Sequence, residues 1–168
     1  MKAVALQPEA LLNALVEHKV EFIVVGGYAV AAHGYVRATK DIDICPDPSA
    51  ENLRRLADAL ANLEAELIGL DEFARKFDLR PDFEGLRQGG NWTLHTKYGR
   101  LDVMQHIGGL GRDGGGWHEL APHTVTRNFL GHECRFCSYE DLVKMKLAAA
   151  RPQDEIDVNS LKAARSEA

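Results

Sequence analysis

The stretch over residues 21–44, EFIVVGGYAVAAHGYVRATKDIDI, constrains this chain more than any other. Residues 21–25 are a short apolar run rich in β-branched side chains and closed by Gly26-Gly27, which predicts a buried strand. The Ala-rich residues 28–33 predict a short helix directly after the glycines, and residues 41–45 a second strand, stopped by Pro46 and Pro48. A strand alternates its side chains, so Asp41 and Asp43 share one face while Ile42 and Ile44 share the other. Two carboxylates about 7 Å apart on one face repel each other unless a cation sits between them. A hard divalent ion suits that arrangement, because Mg²⁺ takes one or two carboxylates together with phosphate oxygens. Gly26 and Gly27 add backbone N–H groups at a helix N-terminus, where a phosphate is favoured.

A third acid joins them. In Arg100-Leu101-Asp102-Val103, alternation sets Asp102 opposite the apolar Leu101 and Val103. Three acids on neighbouring strands beside a glycine turn suit two-metal phosphoryl or nucleotidyl transfer. There the metals neutralise a triphosphate and clamp the attacking and leaving oxygens, and a carboxylate can assist deprotonation of the attacking hydroxyl.

The remaining elements frame these acids. Residues 8–18 predict an opening helix with Leu11, Leu12, Leu15 and Val16 at helical spacing, and Ser49 predicts the cap of a long helix to about residue 67. Residues 69–90 read as strand or loop, residues 92–96 and 100–106 as two strands turning at Tyr98-Gly99, and residues 108–116 as a glycine-rich loop. A short strand is expected at 135–136, a helix from Ser138 to about residue 151, and a last helix over 153–164. The fold class is therefore α/β (α+β), a small mixed β-sheet flanked by helices. Residues 1–137 make the core and residues 138–168 a C-terminal helical segment packed on it.

Composition narrows the setting. With 20 Lys+Arg against 25 Asp+Glu in 168 residues, the net charge is −5, which argues against holding nucleic acid by bulk charge. Three cysteines make no disulfide framework, no apolar run approaches a membrane span, and the N-terminus lacks a signal-peptide layout. A cytoplasmic protein with no membrane partner is expected.

Gly26-Gly27, thirteen intervening residues and Asp41-Ile42-Asp43-Ile44 resemble the signature of the polymerase-β-like nucleotidyltransferase superfamily. The resemblance implies that Gly26 and Gly27 hold an incoming NTP, that Asp41 and Asp43 bind Mg²⁺, and that Asp102 completes the metal site or acts as base. The context RATKDIDI, with Arg37, Thr39 and Lys40, is similar to the small bacterial minimal nucleotidyltransferases. Lys146, Arg151, Asp154 and Asp157 resemble the K-x4-R-x-K-D-x-x-D segment of abortive-infection (AbiEii-like) toxins, with Gln153 standing where that pattern has its second Lys. That resemblance implies roles for Lys146 and Asp154 in activity, an RNA, tRNA or protein acceptor, and a cognate antitoxin as partner. Lys40, Lys146 and Arg151 are then the cations expected to meet the nucleotide, since a triphosphate needs positive charge beyond its metals. With Arg37, they are also the candidates for a local RNA-binding patch. Read without the family, Lys146, Arg151, Asp154 and Asp157 are a solvated helix–turn–helix with local ion pairs.

Other motifs carry less. Gly109 to Gly114 match G-x-G-x-x-G, but Gly115, Gly116 and Pro122 make poor helix material and no βαβ unit surrounds them, so a surface loop is expected. Cys134 and Cys137 form a lone C-x-x-C whose odd spacing on a strand would put the sulfurs on opposite faces. His33 reads as a packed or capping histidine, and Trp92 and Trp117 as packing residues. Two alternatives stand beside the main reading: a non-catalytic partner-binding module of the same fold, and an enzyme of this fold acting on a small, antibiotic-like molecule.

Overall fold

The computed structural model describes residues 3–68 and 76–167. Helix α1 (Pro8–Glu17) leads to strand β1 (Phe22–Val25), helix α2 (Gly26–Ala32), β2 (Asp41–Pro46), α3 (Ala50–Asn62) and β3 (Glu66–Leu67). Then follow α4 (Phe83–Arg87), β4 (Asn91–Thr96), β5 (Gly99–Met104), α5 (Trp117–Leu120), β6 (Val125–Phe129), β7 (His132–Phe136), α6 (Tyr139–Ala149) and α7 (Pro152–Glu167).

The strands form one seven-stranded sheet in the order β3-β4-β5-β2-β1-β7-β6. It is mixed: β2 runs parallel to β5 and β1 parallel to β7, while the other pairs are antiparallel. The α/β class with helices flanking a mixed sheet is thus the observed one. Alternation divides the central strands as expected. Ile42, Ile44, Leu101 and Val103 are fully buried in the same apolar core as Leu11, Leu12 and Leu15 of α1 and Leu53, Leu56 and Leu60 of α3. The opposite face of β2 and β5 is left to Asp41, Asp43, Arg100 and Asp102.

Local chemistry explains most boundaries, including those that differ from expectation. Ser49 Oγ accepts the Asn52 N–H at 3.3 Å and caps α3. That helix stops at Asn62 rather than near residue 67, because Glu64 turns to φ 54° and the Ala65 N–H donates back to Leu60 O at 2.9 Å, closing a Schellman-type end. The next residues then pair as β3 along β4. Helix α2 starts at Gly26, not after the glycines, so they form its first turn. Of the mixed region 69–90, residues 69–75 lie outside the described residues. Its later part holds the short helix α4, capped by Asp82 Oδ1 accepting the Gly85 N–H at 2.9 Å. The strand expected at 135–136 extends over His132–Phe136 and pairs with β6, which alternation does not announce because Thr126, Arg127 and Asn128 are all exposed.

Candidate active site

Val25 closes β1 directly opposite Asp43. There the chain turns into α2 through Gly26 at φ 69°, a conformation glycine adopts without strain. A Cβ on Gly26 would overlap the Asp43 carboxylate, and one on Gly27 would stand 2.7 Å from Thr39 Oγ1 and 3.4 Å from an Arg37 guanidinium nitrogen. Both glycines therefore make room for side chains of the segment leading through the acids. This packing requirement adds to the phosphate reading of the glycine pair.

The parallel register sets Asp43 beside Asp102 and Asp41 beside Arg100. One ligand oxygen from each of Asp41, Asp43 and Asp102 lies within 4.8 Å of the others, and no other such group of three metal-ligating side chains exists among the described residues. Burial and the neighbouring charges of Asp41 and Asp102 push the Asp43 carboxyl up to about 8. Burial and Asp102 likewise raise Asp41. Three oxygen-only ligands, with burial and mutual repulsion outweighing the nearby cations at Asp41 and Asp43, fit a hard divalent cation such as Mg²⁺.

A cavity of about 480 Å³ opens above the acids. Every candidate site residue read from the sequence lines it: Asp41, Asp43, Asp102, Gly26, Gly27, Lys40, Lys146 and Arg151. The C-terminal helices thus contribute to the site itself, and Leu142 and Met145 add an apolar wall. The cations differ sharply in their surroundings. Lys40 is exposed. Lys146 is buried and bonded to Asp154 at 3.1 Å and Asp157 at 2.9 Å, with both carboxylates essentially inaccessible to solvent. Arg151 binds Asp154 at 2.7 Å, and Arg37 reaches across from the segment before β2 to grip both oxygens of Asp157, at 2.7 and 2.8 Å.

The solvated helix–turn–helix expected of these residues without the family is therefore incorrect, since Asp154 and Asp157 are the buried centre of a five-charge network. Asp154 also accepts the Arg151 backbone N–H at 3.1 Å, tying the first turn of α7 to the turn before it. Burial alone would raise Asp157, yet hydrogen bonds from Arg37, Lys146 and Gln153 outweigh it and hold that carboxyl at about 2. Arg37, Lys146 and Arg151 already carry acidic partners, which leaves Lys40 as the expected patch cation with none among the described residues.

No family model and no curated protein sequence matches this chain. Solved structures do resemble it, among them the following two. The crystal structure of the lincosamide antibiotic adenylyltransferase LnuA with lincomycin bound superposes with a TM-score of 0.62 at 15% identity, covering 96% of this chain and 99% of LnuA. The solution structure of the antibiotic-resistance factor ANT(2'')-Ia gives a TM-score of 0.56 at 14% identity, over 95% of this chain and 83% of that one. The fold is that of a nucleotidyltransferase. In this fold the glycine turn, the acids of β2 and the acid of β5 stand around one cavity.

The structure also brings in residues that sequence reading passed over. Arg100 is the main one: it lies on the acids' face by the same alternation that picks out Asp102. Arg37 and Asp157 each stand out in the sequence, but their pairing across 120 residues is one no local pattern announces. None of the residues of the discounted motifs lines the cavity. The glycine run lies between β5 and α5, with Ile107 bridged to Gly115, and Cys134 and Cys137 are buried free thiols. His33 is packed, its Nε2 2.8 Å from Cys137 O. Among the described residues no helix is long and apolar enough to cross a membrane.

Proposed function

We propose that this chain is an Mg²⁺-dependent nucleotidyltransferase that moves an NMP from an NTP to an acceptor hydroxyl. The observation that carries the reading is the convergence of Asp41, Asp43 and Asp102 within 4.8 Å beside the Gly26-Gly27 turn. Asp41, Asp43 and Asp102 would hold the metal. When bound, Mg²⁺ supplies charge neutralisation for the triphosphate and Lewis-acid polarisation at the reacting phosphate. Gly26 and Gly27 would present backbone N–H groups to the triphosphate, and Lys40 at the rim would meet its charge. The attacking oxygen bonds to the α-phosphorus, the bond to the bridging oxygen breaks, and pyrophosphate leaves. Asp102, within 4.8 Å of both other acids, would complete the metal site or take the hydroxyl proton as base. With Arg37, the cations Lys146 and Arg151 outnumber Asp154 and Asp157 three to two, so this network would leave the wall of the cavity one net positive charge.

For the acceptor, the near end-to-end match with LnuA supports a small hydroxylated molecule, since that protein is an antibiotic adenylyltransferase of almost the same extent. An RNA, tRNA or protein acceptor, with an antitoxin as partner, is the second reading, supported by the Lys146-to-Asp157 block. The test is incubation of the full chain with each α-labelled NTP and Mg²⁺, alone, with total RNA, and with a panel of lincosamide and aminoglycoside antibiotics. Label in a small molecule, in RNA or in the protein identifies the acceptor class. Label nowhere, with no Mg²⁺-dependent NTP binding by calorimetry, would make the chain a non-catalytic binding module.

A further inference from the structure

Arg100 lies on the acids rather than beside them. Its side chain donates to Asp102 from Nε at 3.3 Å and from a terminal nitrogen at 3.2 Å, and Nε stands 3.5 Å from Asp41 Oδ2. These carboxylates belong to the converging set that fits a divalent ion. A guanidinium fork covers a carboxylate edge with fixed N–H donors, so an ion that takes those lone pairs must displace it. Close approach of the two cations is also repulsive.

The other cations around the cavity are anchored elsewhere. Arg37 is held by Asp157, Lys146 by Asp154 and Asp157, and Arg151 by Asp154. Among the described residues, Arg100 forms its ion pairs with Asp41 and Asp102 alone. Its side chain is 45% exposed and lines the cavity, so it has room to swing on its flexible stem.

We propose that Arg100 is an exchangeable counter-ion of the three acids: it covers Asp41 and Asp102 before metal arrives, is displaced when divalent ions bind, and then ligates the phosphates of the nucleotide. The inference rests on the nucleotidyl-transfer reading above. It requires one substitution to change two affinities in opposite directions, which a merely structural role does not do.

The experiment titrates the folded full chain with Mn²⁺ in the absence of nucleotide, then titrates a non-hydrolysable NTP analogue at saturating Mn²⁺, both by calorimetry. Arg100→Gln is expected to bind Mn²⁺ about fivefold or more tightly than the parent and the analogue about fivefold or more weakly. Arg100→Lys, which keeps the charge and loses the fork, should fall between in both titrations and carries the test should the glutamine variant not fold. Unchanged or weaker Mn²⁺ binding, or unchanged analogue binding, in the variants would overturn the exchange while leaving the metal site intact. Absence of Mn²⁺ binding by the parent would overturn the exchange and the nucleotidyl-transfer reading together.

Discussion

The Asp43 carboxylate occupies the space that a side chain on Gly26 would fill. Gly26 also sits at φ 69°, so an alanine there meets two penalties: a strained backbone and an overlap with a buried acid. Gly131, at φ 88° with nothing within 4 Å of where a Cβ would stand, carries only the first. Gly26→Ala should therefore lose more stability in urea unfolding than Gly131→Ala, whose cost is about 1 kcal/mol. Gly26→Ala should also weaken Mn²⁺ binding, and Gly131→Ala should leave it unchanged. Equal losses in both variants would show that the close approach to Asp43 is not what requires glycine.

The raised Asp43 carboxyl sets a pH dependence with a definite sign. Its ordinary value is 3.8, and burial with Asp41 and Asp102 nearby lifts it to about 8 in the metal-free fold. The native state then holds a proton that the unfolded chain has lost between those values, so this group's contribution to metal-free stability falls as pH rises from about 4 to about 8. Metal binding must release that proton below pH 8, so Mn²⁺ affinity should rise with pH, by up to about tenfold per unit, and level off above it. Calorimetry in buffers of different ionisation enthalpy reads the proton release directly. In Asp43→Asn the pH slope of stability assigned to this carboxyl should vanish along with metal binding.

Much of the central site was legible because it obeys local rules. Alternation in residues 41–45 and 100–106 separates Asp41, Asp43 and Asp102 from Ile42, Ile44, Leu101 and Val103, and the sheet register merely brings the two acidic faces together. The same rule already placed Arg100 on that face, but a salt bridge to metal-binding acids has no pattern of its own in sequence. Strand β6 was missed because three of its five residues are exposed, which erases the alternation that would announce an edge strand. The depth of Asp154 and Asp157 was hidden for another reason. Acids three residues apart in a charged helix normally face water, and the arrival of Arg37 from far upstream and Lys146 from α6, with Arg151 at the helix start, makes their burial tolerable.

That network predicts a different pH response. Asp157 is held at about 2, below its ordinary 3.8, by hydrogen bonds from Arg37, Lys146 and Gln153 that outweigh burial. Its contribution is present in full above pH 4 and is lost as pH falls toward 2, opposite in sign to that of Asp43. Asp157→Ala leaves Arg37 and Lys146 short of a buried partner, and removing one member of such a pair costs about 3–5 kcal/mol. Urea unfolding at pH 7 checks the magnitude. A loss below about 1 kcal/mol would mean that Asp154 and solvent satisfy both cations without it.

Lys40 and Lys146 face the same cavity but should respond differently to substitution. Lys146 is buried between Asp154 and Asp157, so Lys146→Met takes a buried cation from two inaccessible carboxylates and should unfold at markedly lower denaturant. Any loss of activity in that variant mixes lost charge at the cavity with a disturbed α6–α7 junction. Lys40 is exposed, and Lys40→Ala should leave stability within about 0.5 kcal/mol of the parent. If its ammonium meets the triphosphate, the variant should bind a non-hydrolysable NTP analogue several-fold more weakly, by about 1 kcal/mol, with the difference shrinking as salt is raised. The pair of titrations separates the two roles. A Lys40→Ala protein that binds the analogue as tightly as the parent at low salt would assign the positive charge of the cavity mouth to Arg100 instead.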